Sequence, residues 1–500
     1  MELLTERHKN EITCVLSCYD RLILSGTLPE ISYSQGMTNY MYQNKHRIFD
    51  YPKFAEPYKE TIRANAEQIA KEHGIEIEFI RKNGIRKESI ISEKIAKRGA
   101  HPGIVHILSV MESCSTYKPW HDKKTGKTFL KPDTSKCLHY YFYFIDEQVG
   151  LGYVRVPTWC PFRLQVYING HNLLATELKQ AGIKYSMTDN AFDSIEDIAK
   201  AQELSDTISI GKLHRKLDEF AWQFCPVYKE FKLRYHWSVM QAEYATDIVF
   251  KKQQSLQQIY NELIATAIHT VKPENIATFL GQKLDPRYQG EAGNNYNVRI
   301  EGSRIKHTMG KVSIKMYDKF SKILRIETTV NDISFFKHFR EVVHRDGTTS
   351  HQMAPLKKNI YSLSFLTDNL KASNKRYLDF ISAFDNKEVG RKRLEKVTSS
   401  KSENNRNYKG FNFFNADDLT LLMAIVRGEF NINGFRNKNM QKLLGFNSGK
   451  ISRLIKRLRV HGLIKKTAGS YKYYLTKIGK ETIIMAQQIK ELVMVPAYCY

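Results

Sequence analysis

Hydrophobic and polar positions change period several times along the chain, and each change predicts an element. Residues 11–28, EITCVLSCYDRLILSGTL, are rich in β-formers up to Pro29 and predict a long strand or a hairpin with Asp20 and Arg21 in its middle. Residues 55–74 place Ile62, Ala66, Ile69 and Ala70 at helical spacing before Gly74. A short strand follows at 75–80, then a basic helical stretch at 82–98. Strand patterns recur at 103–112, 138–145, 152–157 and 162–168, a helix fits 172–180, and a further strand fits 183–187. Residues 195–270 are read as mainly helical, 283–293 as a loop, and 297–306, 311–317 and 323–330 as strands. Helix returns at 355–396, and the polar run VTSSKSENNRNYKG at 397–410 is read as a linker.

The last segment has the sharpest pattern. A helix beginning with DDLTLLMAIVRGE at Asp417 and a second helix at 437–444 precede the stretch 447–480. There Asn447 and Ser448 suit an N-cap, Ile451, Leu454, Ile455 and Leu458 form one apolar face, and Gly462 stops the helix. Two short strands at 463–466 and 471–475 flank the turn Thr467, Ala468, Gly469 and Ser470, and a closing helix is predicted at 476–492. The stretch 447–480 carries ten Lys or Arg and no Asp or Glu. A helix followed by a basic hairpin resembles the recognition helix and wing of a winged-helix, MarR-like domain. The resemblance implies that Lys450, Arg453, Lys456, Arg457 and Arg459 lie toward a DNA groove, with Lys465, Lys466 and Lys472 of the wing on the backbone.

Composition widens that picture. The 500-residue chain carries a formal net charge of +25, which favours a polyanionic partner, and 12% aromatic residues, too many for a disordered basic tail. The excess is not confined to the C-terminal stretch: residues 301–400 hold 20 Lys or Arg against 11 Asp or Glu. DNA is therefore expected as a partner, with RNA as a second candidate. No apolar run reaches the ~18 residues that a membrane span requires, so no membrane partner is expected. Seven scattered cysteines and an N-terminus without a signal pattern predict a reducing, cytoplasmic setting. The predicted fold class is α+β and multidomain: a mixed or antiparallel sheet body with helical insertions and a C-terminal winged helix. The expected divisions are 1–100, 101–205, 206–280 and 281–396, the linker 397–410, and 411–492.

Three side-chain sets bear on chemistry. Lys118, Trp120, Lys123, Lys124 and Lys127 are read on a long loop as nucleic-acid contacts, whereas the YYFYF run at 140–144 is read as a strand buried on both faces. The order strand, strand, strand, helix, strand over 103–187 resembles a ribonuclease-H-like core. That resemblance places Glu112 and Asp189 at strand ends, with Glu243, four residues before Asp247 on the expected helix, or Asp20 completing a Mg²⁺ site for phosphodiester cleavage. Cys114, His121, Cys137 and His139 have ligand types that suit Zn²⁺, although the spacing is longer than a zinc knuckle and packed thiols are the favoured alternative.

Two further resemblances are carried by short segments. KVSIKMYDKFSKILRIET at 311–328 is similar to the "YDK…LRIE" segment of phage and plasmid replication initiators, but the His pair that would accompany Tyr317 as a nucleophile is missing from the sequence. RGAHPGIVHILSVMESC, KCLHYYFYFIDEQVGLGYVRVPTWCPFRLQVYINGH and SRIKHTMGKVSIKMYDKF resemble a family of uncharacterised bacterial proteins. That likeness brings no activity and implies a mobile-element or phage context. Phosphate-binding GxxxxGK[ST] and dinucleotide GxGxxG motifs do not occur. The expected function is nucleic-acid binding, duplex DNA through the winged helix and a second nucleic acid, a structured or guide RNA being a candidate, through the basic central body, with a metal-dependent nuclease or transposase as the alternative and a ligand-sensing transcriptional regulator as the second alternative.

Overall fold

A computed structural model describes all residues except 1–2, 82–83, 232–233, 283–289, 300–301, 383–394, 428, 431–433 and 489–500. The protein is mixed α+β, with long strands and helices in alternation. Its chain divides into two units, one of residues 18–244 and 330–367, the other of residues 1–17, 245–329 and 368–500.

The unit centred on 18–244 is built on paired strands. Strands β1 (Ile12–Thr27), β2 (Ile77–Ile80), β3 (Gly103–Asp122), β4 (Lys127–Asp146), β5 (Gly150–Pro157) and β6 (Leu164–Asn169) pair in the order β1-β6-β5-β4-β3-β2. All these pairs are antiparallel except β2 with β3. β1 is a single strand, which settles the choice between strand and hairpin, and Arg21 pairs with Asn169 of β6. The YYFYF run lies in β4 and is buried throughout, as its lack of any polar position implies. Helix Tyr51–Glu72 buries Ile62, Ala66, Ile69 and Ala70, the face that its spacing predicts. After helix Gly170–Gln180, strands β7 (Tyr185–Thr188) and β8 (Ala191–Ile195) pair with each other as a separate two-stranded sheet.

Two expectations for this unit are corrected. The Lys-rich segment near 118–131 is the far end of the β3–β4 hairpin, not a loop; Asp122 pairs with Lys127 around a four-residue turn in which Gly126 takes a positive φ of 66°. Basic residues interrupt both strands there, so no apolar run marks them. The helix expected across 195–270 is broken by strand β9 (His236–Phe250). Trp237, Val239, Tyr244, Thr246, Ile248, Val249 and Phe250 are β-branched or aromatic, and that content prevails over the helical spacing. Glu243 therefore projects from a strand.

The other unit contains β9 from Ala245 onward together with β10 (Ala292–Arg299), β11 (Gly302–Met309), β12 (Val312–Lys319) and β13 (Ile323–Val330), in the order β10-β11-β12-β13-β9. The turn between β12 and β13 holds Phe320 and Ser321 at positive φ, near the expected hairpin corner. Part of the expected 283–293 loop, residues 283–289, lies outside the described residues, and β10 begins at Ala292. Inside this unit Asp247 and Arg325, both buried, form a bidentate ion pair at 2.6 and 2.7 Å.

The C-terminal part of this unit has its own core. Val397, Phe411, Leu421, Leu422, Ile425, Phe435, Met440, Ile451, Ile455, Leu458, Leu463 and Ile483 pack together. They come from helices Ala416–Ile425, Asn437–Leu444, Ser448–Val460 and Lys477–Gln488 and from the segments before and between them. A two-stranded hairpin, Ile464–Lys466 with Tyr473–Leu475, follows the third helix, and Phe435 bridges to Tyr473 at its edge. The expected closing helix ends at Gln488, and residues 489–492 lie outside the described residues. The segment read as a linker is structured: Lys401–Glu403 and Arg406–Tyr408 pair as a hairpin, and Val397 belongs to the core.

Candidate functional site

The predicted basic residues of the C-terminal segment fall into two groups. Helix Ser448–Val460 is capped by Asn447, whose side chain accepts a hydrogen bond from the Lys450 backbone N–H, and it turns its apolar face to the core. Lys450, Ser452 and Arg453 are exposed on its first two turns. Lys465 and Lys466 are exposed on the hairpin beside Tyr471, with Lys466 Nζ 4.7 Å from that ring. Lys472 is half-buried, its ammonium 5.6 Å from the Tyr474 ring.

The other cations of the same helix serve the fold. Arg457 is bidentate to Asp418 at 2.6 and 2.9 Å, donates to the carbonyls of Lys409 and Gly410, and lies 4.0 Å from the Phe411 ring. Burial alone would raise the Asp418 carboxyl, but hydrogen bonds from Arg457 and the Asn412 N–H hold it below its ordinary value. Lys456 pairs with Glu403, and Arg459 reaches the same carboxylate at 3.9 Å. Lys456 and Arg457, both expected at the groove, thus also hold ion pairs within the protein. Asp418 and Glu403 lie outside 447–480, so a count of charges within that stretch cannot reveal their partnership.

The four predicted carboxylates separate. Asp20 on β1 and Glu243 on β9 bring carboxylate oxygens within 4.8 Å of each other. Around Asp20, His171 Nδ1 of the buried first turn of helix Gly170–Gln180 lies at 3.1 Å, and Asn190 donates to its Oδ1 at 2.8 Å. Arg21, over the Tyr167 ring, is 3.7 Å from Glu243. Asp189 sits at the β7–β8 turn with a positive φ of 53°, one residue before the Asn190 that reaches Asp20. Sequence reading overlooked His171 and Asn190; their position after a strand and in a turn gives no spacing signal.

Glu112 stands apart, in a structural network. It accepts hydrogen bonds from Lys87 at 2.9 Å and Tyr141 at 2.8 Å and pairs with Arg155 at 2.8 Å. Burial by itself would raise its pKa, yet these donors and the Arg155 charge hold it at about 2. A carboxyl depressed in the folded state stabilises the fold fully above its ordinary value of about 4.5, and that contribution disappears as pH falls through about 2. Acid titration of unfolding is therefore expected to steepen between those values, and Glu112→Gln is expected to flatten that segment; an unchanged pH profile would contradict the assignment.

The candidate zinc set does not converge. Cys114 and Cys137 share a hydrogen bond that lowers the first thiol and raises the second, and His139 Nδ1 lies 3.0 Å from the Cys137 carbonyl. Burial, reinforced by the nearby Arg155 charge, lowers the His139 pKa to about 4, so it is neutral near pH 7. His121 pairs in register with Thr128 near the hairpin turn and is 2.9 Å from its hydroxyl. Seven residues along a strand separate it from Cys114, about 23 Å at the usual rise.

Tyr317 is engaged as well: its hydroxyl donates to Glu327 at 2.7 Å, and Lys315 pairs with the same carboxylate at 2.6 Å. The YDK and LRIE segments thus supply internal ion pairs. Lys118, Trp120, Lys123, Lys124 and Lys127 gather at the end of the β3–β4 hairpin, all exposed. Comparison with protein-family models, curated proteins and solved structures returned no match.

Proposed function

We propose that the protein binds duplex DNA through residues 411–488, acting as a winged-helix module. The observation that carries this reading is one-signed exposure on adjoining elements. Lys450 and Arg453 stand on the first turns of the third helix, and Lys465 and Lys466 stand on the hairpin that follows it. No Asp or Glu occurs from residue 430 to residue 480. A helix of this diameter fits a major groove, its N-terminal side chains reach base edges, and the hairpin cations meet phosphates. Arg436, just before the preceding helix, and Lys438 and Lys442 on it extend the positive surface.

Electrostatic binding of this kind weakens with salt through counterion release. The full chain is expected to bind a 20–30 base-pair duplex, with log K falling linearly against log salt. The double variant Lys465→Ala/Lys466→Ala is expected to make that slope shallower by about 2, one unit per lost phosphate contact, with unfolding unchanged. Binding with the wild-type slope in that variant would refute the reading.

A second reading, metal-assisted phosphodiester cleavage, is favoured by one observation, the approach of Asp20 and Glu243 beside His171 and Asn190. In this reading the two carboxylates hold Mg²⁺, which would activate water and offset charge on a phosphate. Arg21 competes for Glu243. The expected result is Mg²⁺-dependent cutting of DNA or RNA that Asp20→Asn abolishes; no cutting of any form with Mg²⁺ or Mn²⁺ would dismiss it.

A further inference from the structure

The β3–β4 hairpin has two unlike faces. On one, Tyr117 and Leu130 are buried: the Tyr117 hydroxyl donates to the Ile31 carbonyl at 2.8 Å, and the Leu130 N–H donates to Thr38 at 3.0 Å. Helix Ser34–Gln43 covers that face, and Tyr42 donates to the Thr128 carbonyl. Strand alternation puts Thr116, Lys118 and Trp120 on the other face, and register sets Asp133, Lys131 and Phe129 directly across from them. Trp120 is 44% exposed, and Lys131 Nζ stands 3.6 Å from its ring.

This second face continues toward the body of the unit. Trp159 Nε1 donates to Thr116 at 2.9 Å. Trp159 also lines a cleft of about 200 Å³ with Arg155, Arg163, His139 and Cys114. Trp159 and Trp120 therefore lie at the two ends of one strand face, which is buried at Thr116 and exposed at Lys118 and Trp120. From Thr116 to Trp120 that face runs four residues, about 13 Å. Cations flank it at both ends, the exposed Arg163 at the cleft, beside an Arg155 already paired with Glu112, and Lys118 and Lys131 beside Trp120.

We propose that this face binds unpaired nucleotides. Aromatic rings on a strand offer stacking surfaces to bases of any sequence, while the flanking cations meet the phosphates. Duplexes bury their base faces in stacking, so the ring platform favours a single strand. The charge agrees: residues 118–136 carry six Lys against Asp122 and Asp133. Asp133 is only loosely engaged, 3.6 Å from Lys118 in an exposed pair, and Asp122 caps the turn through Thr125. The site is independent of the C-terminal cations and can fail or stand without them.

The test uses the full chain with labelled 12-nucleotide oligo-dT and oligo-U, and a duplex in parallel. Both single strands are expected to bind and to quench indole fluorescence, and their ratio tells whether DNA or RNA is preferred. Trp120→Ala is expected to weaken single-strand binding about 10-fold, Trp120→Phe to recover most of it, and neither to alter duplex binding or the thermal transition. Lys118→Ala/Lys131→Ala is expected to flatten the salt dependence for single strands alone. The proposal is overturned if Trp120→Ala binds the oligonucleotides as tightly as wild type, or if a polyglutamate peptide of equal charge competes as well as they do. Single-strand binding lost in Trp120→Ala while duplex binding fails altogether would support the platform and remove the C-terminal reading.

Discussion

Replacing Asp247 by alanine is expected to destabilise its unit by about 3–5 kcal/mol, the usual cost of removing one partner from a buried ion pair. Arg325 is fully buried, and its Nε and one terminal nitrogen both end on the Asp247 carboxylate. Without that carboxylate a guanidinium stays in the interior with its bidentate acceptor gone, and guanidinium does not shed its charge. Urea denaturation followed by circular dichroism measures the loss. The compensated double variant Asp247→Leu/Arg325→Met is expected to regain most of it, because apolar replacement of both partners removes the desolvation cost along with the attraction. If the single and double variants are equally unstable, the pair is not what holds β9 to β13.

Arg457→Ala is expected to lower the stability of the C-terminal module by about 2–3 kcal/mol, since each hydrogen bond to a charged group contributes about 1.5–3 kcal/mol and several are lost together. The side chain ties Asp418 of the first helix to the carbonyls of Lys409 and Gly410 and packs on Phe411. Its loss leaves Asp418 partly buried without its main donor. Arg453→Ala is expected to do the reverse: to weaken duplex binding without moving the unfolding transition, because Arg453 is exposed. Measuring both properties on both variants separates the strut from the contact. An Arg457→Ala variant that unfolds like wild type but no longer binds DNA would return Arg457 to the groove.

The C-terminal helix was legible because its signals are local. Asn447 caps it, Ile451, Ile455 and Leu458 are buried, and Gly462 ends it with a positive φ of 74°. The β12–β13 hairpin and helix Tyr51–Glu72 followed from equally local periods. β9 was misread because HWSVMQAEYATDIVF offers apolar residues at helical as well as strand spacing, and only pairing with distant strands decides between them. The outer half of the β3–β4 hairpin reads as a loop in sequence because scattered lysines leave no apolar alternation there. For the same reason the sequence marks Trp120 and Lys118 as contacts but not as neighbours on one face. The carboxylates show the limit most clearly. Asp20 and Glu243 meet although more than two hundred residues separate them, while Glu112, chosen for its place at a strand end, is neutralised by Lys87 and Arg155. Ion-pair partners are chosen by folding, and composition reports only that cations are plentiful.

The hairpin at 401–408 sets a boundary for any dissection of the chain. Its Glu403 neutralises Lys456 and Arg459, and the carbonyls just after it hold Arg457. A fragment started at residue 411 would keep the apolar interior largely whole yet release Lys456 and Arg459, which the intact protein keeps occupied, and strip Arg457 of its two carbonyl partners while leaving it on Asp418. Such a fragment would adhere to any polyanion more strongly than its parent and with less discrimination. Excision before Val397 preserves the native electrostatic surface, so affinities measured on shorter pieces would overstate what the whole molecule does.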